Sequence, residues 1–169
     1  TGGMPTISVH DLAIQKREND LVVGTFGRGI YVLDDYSALR GLKPEVLASE
    51  AKLFGVKDAL LYVQHRRIGG GGKSTQGEAF YIAENPAFGA TFTYYLKEAL
   101  KSKRDLRRDA ERGATQKKEA IAYPTLDELR AETDEEAPAI VFTILDASGR
   151  PVRSLTGPGA RGLNRATWD

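Results

Sequence analysis

The sequence predicts a mainly β chain of antiparallel strands in two groups, with a helical insertion inside the second group. Three observations carry this. Short apolar runs near the N-terminus are separated by polar or glycine turns at intervals of about 10 residues, the spacing of an antiparallel meander. GATFTYYL (89–96) alternates apolar and polar residues with a period of two, which places Ala90, Phe92, Tyr94 and Leu96 on one face and Thr91, Thr93 and Tyr95 on the other. Between that strand and the strand-like AIVFTIL, a long charged stretch without such alternation intervenes.

In order along the chain, VHDLAIQ, LVVGTF and IYVLDD read as three strands, joined by KREND and by the glycine-bracketed arginine of Gly27-Arg28-Gly29. A meander of this kind makes one blade of a propeller. Residues 37–52, with Pro44 and loosely spaced leucines, read as a short helical turn or connecting arm. Leu53 to Val63 is apolar enough for a strand, and RRIGGGGKSTQG after it is a loop by composition. Residues 97–120 hold nine basic side chains against five acidic ones, with only the thin apolar stripe of Leu100, Leu106 and Ala110. This predicts a largely solvated helix. TLDELRAETDEEAPA follows with six acids and one arginine, so a +4 arm and a −5 arm are set to lie against each other. AIVFTILDASGRPVRSL then reads as a hairpin turning at Asp146-Ala147-Ser148-Gly149, and GLNRATWD as one more strand.

Bulk composition narrows the function classes. The chain has 169 residues, 41% hydrophobic and 28% charged, with a net charge of +1, so no global field recruits nucleic acid or an anionic membrane. The basic stretch also lacks interleaved aromatics after Tyr95 on which bases could stack. Without cysteine there is neither a disulfide framework nor a thiolate metal site. No run approaches the roughly 18 apolar residues of a membrane span, and TGGMPTISVHD has no signal-peptide core, so if the protein is exported its signal lies upstream.

Candidate chemistry is sparse. GGGGKST (69–75) suggests a phosphate loop, but that pattern requires glycine at the position held by Arg67; no cofactor is expected. Ser8, His10 and Asp11 supply the residue types of a hydrolytic triad. On a regular strand His10 and Asp11 diverge, however, and the commoner role is to tie a strand to a neighbouring turn. His65 stands without partner ligands for a metal. Asp34 and Asp35 resemble a glycosidase pair by type, but adjacent strand residues point apart, which favours carboxylates that end a strand and cap the next turn. Arg28, at its glycine-flanked tip, is placed to contact a carboxylate or an adjacent blade. No catalytic or metal residue is assigned; His10, Asp11, Arg28, Asp34 and Asp35 are the structural or contact candidates.

VHDLAIQKRENDLVVGTFGRGIYVLDD resembles the last repeat of bacterial sortilin-like, BNR (Asp-box) repeat propeller proteins, often labelled glycosyl hydrolases. ENPAFGATFTYYLKEALKSKRDLRRDAE, YPTLDELRAE and VFTILDASGRPVRSLTGPGARGLNRATWD resemble the Ig-like β-sandwich that follows that propeller, helical insertion included. The resemblance covers nearly the whole chain. The Asp-box itself, a tight turn of serine, aspartate, glycine and tryptophan, is absent from the GTFGRGIYVLDD hairpin.

The resemblance implies closing propeller strands at 1–36, a connecting arm at 37–52 and an Ig-like sandwich at 53–169 with its insertion at about 97–136. It implies an extracellular or periplasmic protein whose first partners are the upstream blades of the same polypeptide. The implied role is non-catalytic, structural or in protein or glycan contact; the alternative is an accessory portion of a glycoside hydrolase-like or peptidase-like enzyme with its active site in those blades. With about three strands in the first group and five in the second, against four and seven in complete domains, the natural polypeptide is expected to extend in both directions.

Overall fold

The computed structural model describes residues 4–63 and 85–169, and within them the chain is mainly β with antiparallel sheets and a few helices. The glycine loop 69–75, Arg67 and His65 lie outside the described residues. The chain divides into two compact units.

The first unit comprises Thr1–Lys43, Phe54–Phe92 and Thr167–Asp169. Its meander, β1 (Val9–Gln15), β2 (Asp20–Thr25) and β3 (Ile30–Leu33), pairs in the order β1-β2-β3. The β1–β2 turn is tight because Asn19 takes φ +59° and the Glu18 N–H donates to the Gln15 Oε1 at 2.6 Å. The register sets Leu12 against Val23 and Tyr31, and Ile14 against Leu21 and Leu33. Directly paired residues share a face, so these six line one side. Ala13, Val22, Val32 and Ile30 lie on the other, together with Asp11, Gln15 and Asp20. One face is therefore wholly apolar and the other is mixed, with an apolar row at its middle, and both stay open: Leu12 is 60% exposed on one and Ile30 72% exposed on the other. Helix α1 (Ser37–Arg40) follows, and Gly41 lies against the Phe54 ring, where a Cβ would meet it at 3.0 Å.

The second unit comprises Pro44–Leu53 and Thr93–Ala166. It holds α2 (Pro44–Ala48), β4 (Ala51–Leu53), most of β5 (Ala90–Leu96), α3 (Lys103–Lys117), α4 (Leu126–Thr133), β6 (Ile140–Leu145), β7 (Pro151–Gly157) and most of β8 (Gly162–Trp168). The strands form a sheet in the order β4-β5-β8 and the hairpin β6-β7. Tyr94, Leu96 and Ala166 from the sheet pack with Ile140, Phe142 and Leu155 from the hairpin, and the Tyr94 and Phe142 rings meet edge to face at 5.1 Å. Tyr94 and Leu96, which alternation places on one face of β5, are both buried, and Thr93 on the other face is buried as well. The Tyr94 hydroxyl donates to the Pro158 carbonyl.

The expected strand over Leu53–Val63 does not form. Only Leu53 is extended-paired, as the last residue of β4, and 54–63 has no regular structure. The apolar run LFGVKDALLYV does not alternate, and Leu61 and Val63 are each 95% exposed, so no surface rewards their ordering into a ladder. The insertion forms as two helices, each opened by a reciprocal capping box: Ser102 with Asp105, and Thr125 with Glu128. Lys118 at φ +57° ends α3. The hairpin turns where the sequence placed it, around Asp146.

Candidate functional site

The predicted contact residues fall at opposite ends of the first sheet. At one end, Val9 pairs with Thr25 but Asp11 pairs with Gly24, which leaves His10 as the extra residue of a β-bulge. Bulges bend a strand and re-aim side chains. Alternation therefore does not run through His10 and Asp11, and their actual partners decide their roles. The His10 ring stacks on Phe26 with centroids 5.3 Å apart and 24° between planes. The Asp11 Oδ1 accepts from the Leu12 N–H at 2.8 Å. Among the described residues no hydrogen bond joins His10 to Ser8 or Asp11, and the triad geometry is absent there.

The β2–β3 tip is braced from below. The Gly29 carbonyl accepts from both the Thr25 N–H (3.2 Å) and the Thr25 hydroxyl (2.6 Å), while the Phe26 N–H donates to the Ser8 carbonyl at 3.1 Å. Gly27 (φ +73°) and Gly29 (φ +85°) take left-handed conformations that disfavour other residues. Between them Arg28 is exposed, with no hydrogen bond or ion pair among the described residues. Phe26 is 71% exposed. A cation and a flat apolar ring are thus presented together on a held loop.

At the other end of the sheet, Asp35 takes φ +42°, its N–H donates to the Asp20 Oδ1 at 3.0 Å, and its own Oδ1 accepts from the Ser37 N–H at 3.1 Å. Asp35 thereby turns the chain out of β3 and ties down the turn that leads to α1, whose N-cap residue is Tyr36. Asp34 precedes it at the end of β3, half-buried. His10, Asp11 and Arg28 are therefore gathered at one end, Asp34 and Asp35 at the other.

In the second unit, Arg107 of α3 grips Glu132 of α4 through two parallel bonds, Nε to Oε1 at 2.6 Å and Nη2 to Oε2 at 2.9 Å. A third reaches Glu111 Oε1 at 2.5 Å. Arg107 holds the Glu132 carboxyl below its usual range, and the two carboxylates raise the guanidinium. Beside this clamp lies a cleft of about 810 Å3, walled mainly by Ala110, Ala114, Ala131, Ile121, Tyr123 and Pro124. Sequence reasoning missed Phe26 and the cleft. The signal for Phe26 was an aromatic immediately before the GRG tip; Ala110 and Ala114, four apart, marked a helix face that leaves space.

No described residues form a group of three or more His, Asp or Glu placed to hold a metal ion. No described helix is long and apolar enough to cross a membrane. Compared with known proteins, the chain matches no family model, no curated protein and no solved structure.

Proposed function

We propose that the chain is the C-terminal part of a large secreted propeller protein, with β1–β3 in the closing blade and an Ig-like sandwich with a helical insertion after it. Its role is structural, with contact to protein or glycan, rather than catalytic. The observation that carries this reading is the first sheet. A sheet with one solvated face is polar on that face, whereas this one sets Leu12, Ile14, Leu21, Val23, Tyr31 and Leu33 on one side and still keeps Ala13, Val22, Ile30 and Val32 among Asp11, Gln15 and Asp20 on the other. One wholly apolar face and one with an apolar middle ask for a neighbouring sheet on each, as the blades of a propeller provide. The resemblance of VHDLAIQKRENDLVVGTFGRGIYVLDD to a closing repeat supports the same reading, and so does the use of the Asp35 carboxylate in the turn after β3.

Hydrogen exchange tests it. The amides of Leu21, Val22 and Val23 should exchange at least about tenfold more slowly in a longer polypeptide carrying the upstream blades than in the 169-residue chain alone, because stacking sheets raises the free energy of local opening. Equal rates in both would remove the blade reading.

A further inference from the structure

We propose that the bulged end of the first sheet, His10, Phe26 and Arg28, binds an acidic polysaccharide through its uronate residues. The inference rests on the contact role proposed above, not on the placement of the sheet in a closing blade. Four independent features meet there. The bulge puts His10 out of register, and its ring is spent on supporting Phe26 rather than on any hydrogen bond among the described residues. Phe26 is 71% exposed although it is held at both its ring and its N–H. The tip is fixed by the two Thr25 bonds to the Gly29 carbonyl. Arg28, two residues from the ring, has no carboxylate partner among the described residues.

A fixed, exposed aromatic ring offers a flat apolar surface, and a pyranose presents a matching face of C–H groups. An arginine fork takes a carboxylate through two parallel bonds, which a lysine cannot reproduce. A hexuronate unit carries both complements on one ring. An extended acidic peptide fits less well, because peptides that bind sheets add along a strand edge, whereas these groups sit at a turn. The parts are held before a ligand arrives, so little conformational freedom is lost on binding.

The test is affinity electrophoresis of the full chain through gels containing polygalacturonate, with dextran and poly-L-glutamate as separate matrices. Polygalacturonate should retard the chain and dextran should not. Phe26→Ala and Arg28→Ala should each weaken retardation by about tenfold or more, the loss of one good anchor. Arg28→Lys should behave like Arg28→Ala, and Arg153→Ala on β7 should behave like the parent. Where Phe26→Ala disturbs folding by circular dichroism, Phe26→Leu, which keeps apolar bulk without the flat ring, takes its place and should lose retardation equally.

Equal retardation by poly-L-glutamate would overturn the proposal in favour of a contact made by charge alone. Retardation unchanged in Phe26→Ala and Phe26→Leu, or reduced as much by Arg153→Ala as by Arg28→Ala, would overturn it too. Because this readout does not involve exchange at Leu21–Val23, the glycan site and the blade reading stand or fall separately.

Discussion

Asp146 is the most heavily used side chain of the second unit. Its Oδ1 accepts from the Ser148 N–H and hydroxyl at 2.8 and 2.6 Å and from the Arg150 N–H at 3.0 Å, while Oδ2 meets the Arg150 guanidinium at 2.8 Å. The Ser148 and Arg150 bonds favour the ionised form and hold its carboxyl down from 3.8 to about 2. A carboxyl depressed by folding stabilises the fold above its unfolded value and loses that contribution as pH falls through the folded value. The window here is from about pH 4 down to about 2. Asp146→Asn should therefore lower thermal stability at neutral pH and flatten its fall over that window, as read by circular dichroism melts at stepped pH. A residue-scale reading of the sequence found the turn, since Asp-x-Ser-Gly is turn chemistry on its face. It did not find the partner of His10, because a bulge depends on how two strands register and leaves no mark on either alone.

At the scale of elements, most strands were legible, but β4 and the irregular run 54–63 were not. Alternation in GATFTYYL put Tyr94 and Leu96 on one face, since a period of two has only two answers, but it did not say which face would be buried. Leu96 is 3% exposed in the cluster joining the sheet to the hairpin. Leu96→Ala should cost about 2–5 kcal/mol, measured by urea unfolding, from lost transfer energy plus the cavity left.

The apolar content of 54–63 misled the reading because hydrophobicity without alternation fixes no face. The helical insertion was legible from its charged, non-alternating sequence with a thin apolar stripe, though not its capping boxes. Neither α3 nor α4 contributes a buried residue. Replacing 98–134 by a short glycine-serine linker should leave the Tyr94–Phe142 core folded with a single cooperative transition, because loop length alters closure by only about 0.6 kcal/mol per doubling. Loss of that transition would show the helices to be part of the core.

At the scale of the whole molecule, composition gave an ordinary soluble-domain balance, while the described structure leaves many large apolar side chains in water. Those on β1 and β3 form two open surfaces rather than scattered points, and such patches favour association. Ile30→Thr with Val32→Thr keeps β-branched side chains in the strand and removes apolar surface from one face. The doubly substituted chain should self-associate less than the parent in sedimentation velocity at matched concentration. No difference would mean that this face takes no part in association. The sheet's two-sidedness could be read from the sequence only once register was known, because LVVGT alone is equally compatible with a strand buried on one side.

The Asp146 turn also sets an order of events in time. Every bond it makes closes within four residues, and hairpins of this kind form in about 1–10 μs. The pairing of β5 with β8 instead joins residues such as Thr91 and Thr167, 76 positions apart. Its closure entropy is due before any contact repays it. The β6–β7 hairpin should therefore serve as the early template on which the sheet later docks, with α3 and α4 carried along inside the closing loop. Ser148→Ala should then slow refolding, whereas Thr167→Ala should mainly hasten unfolding, a division that stopped-flow chevrons resolve.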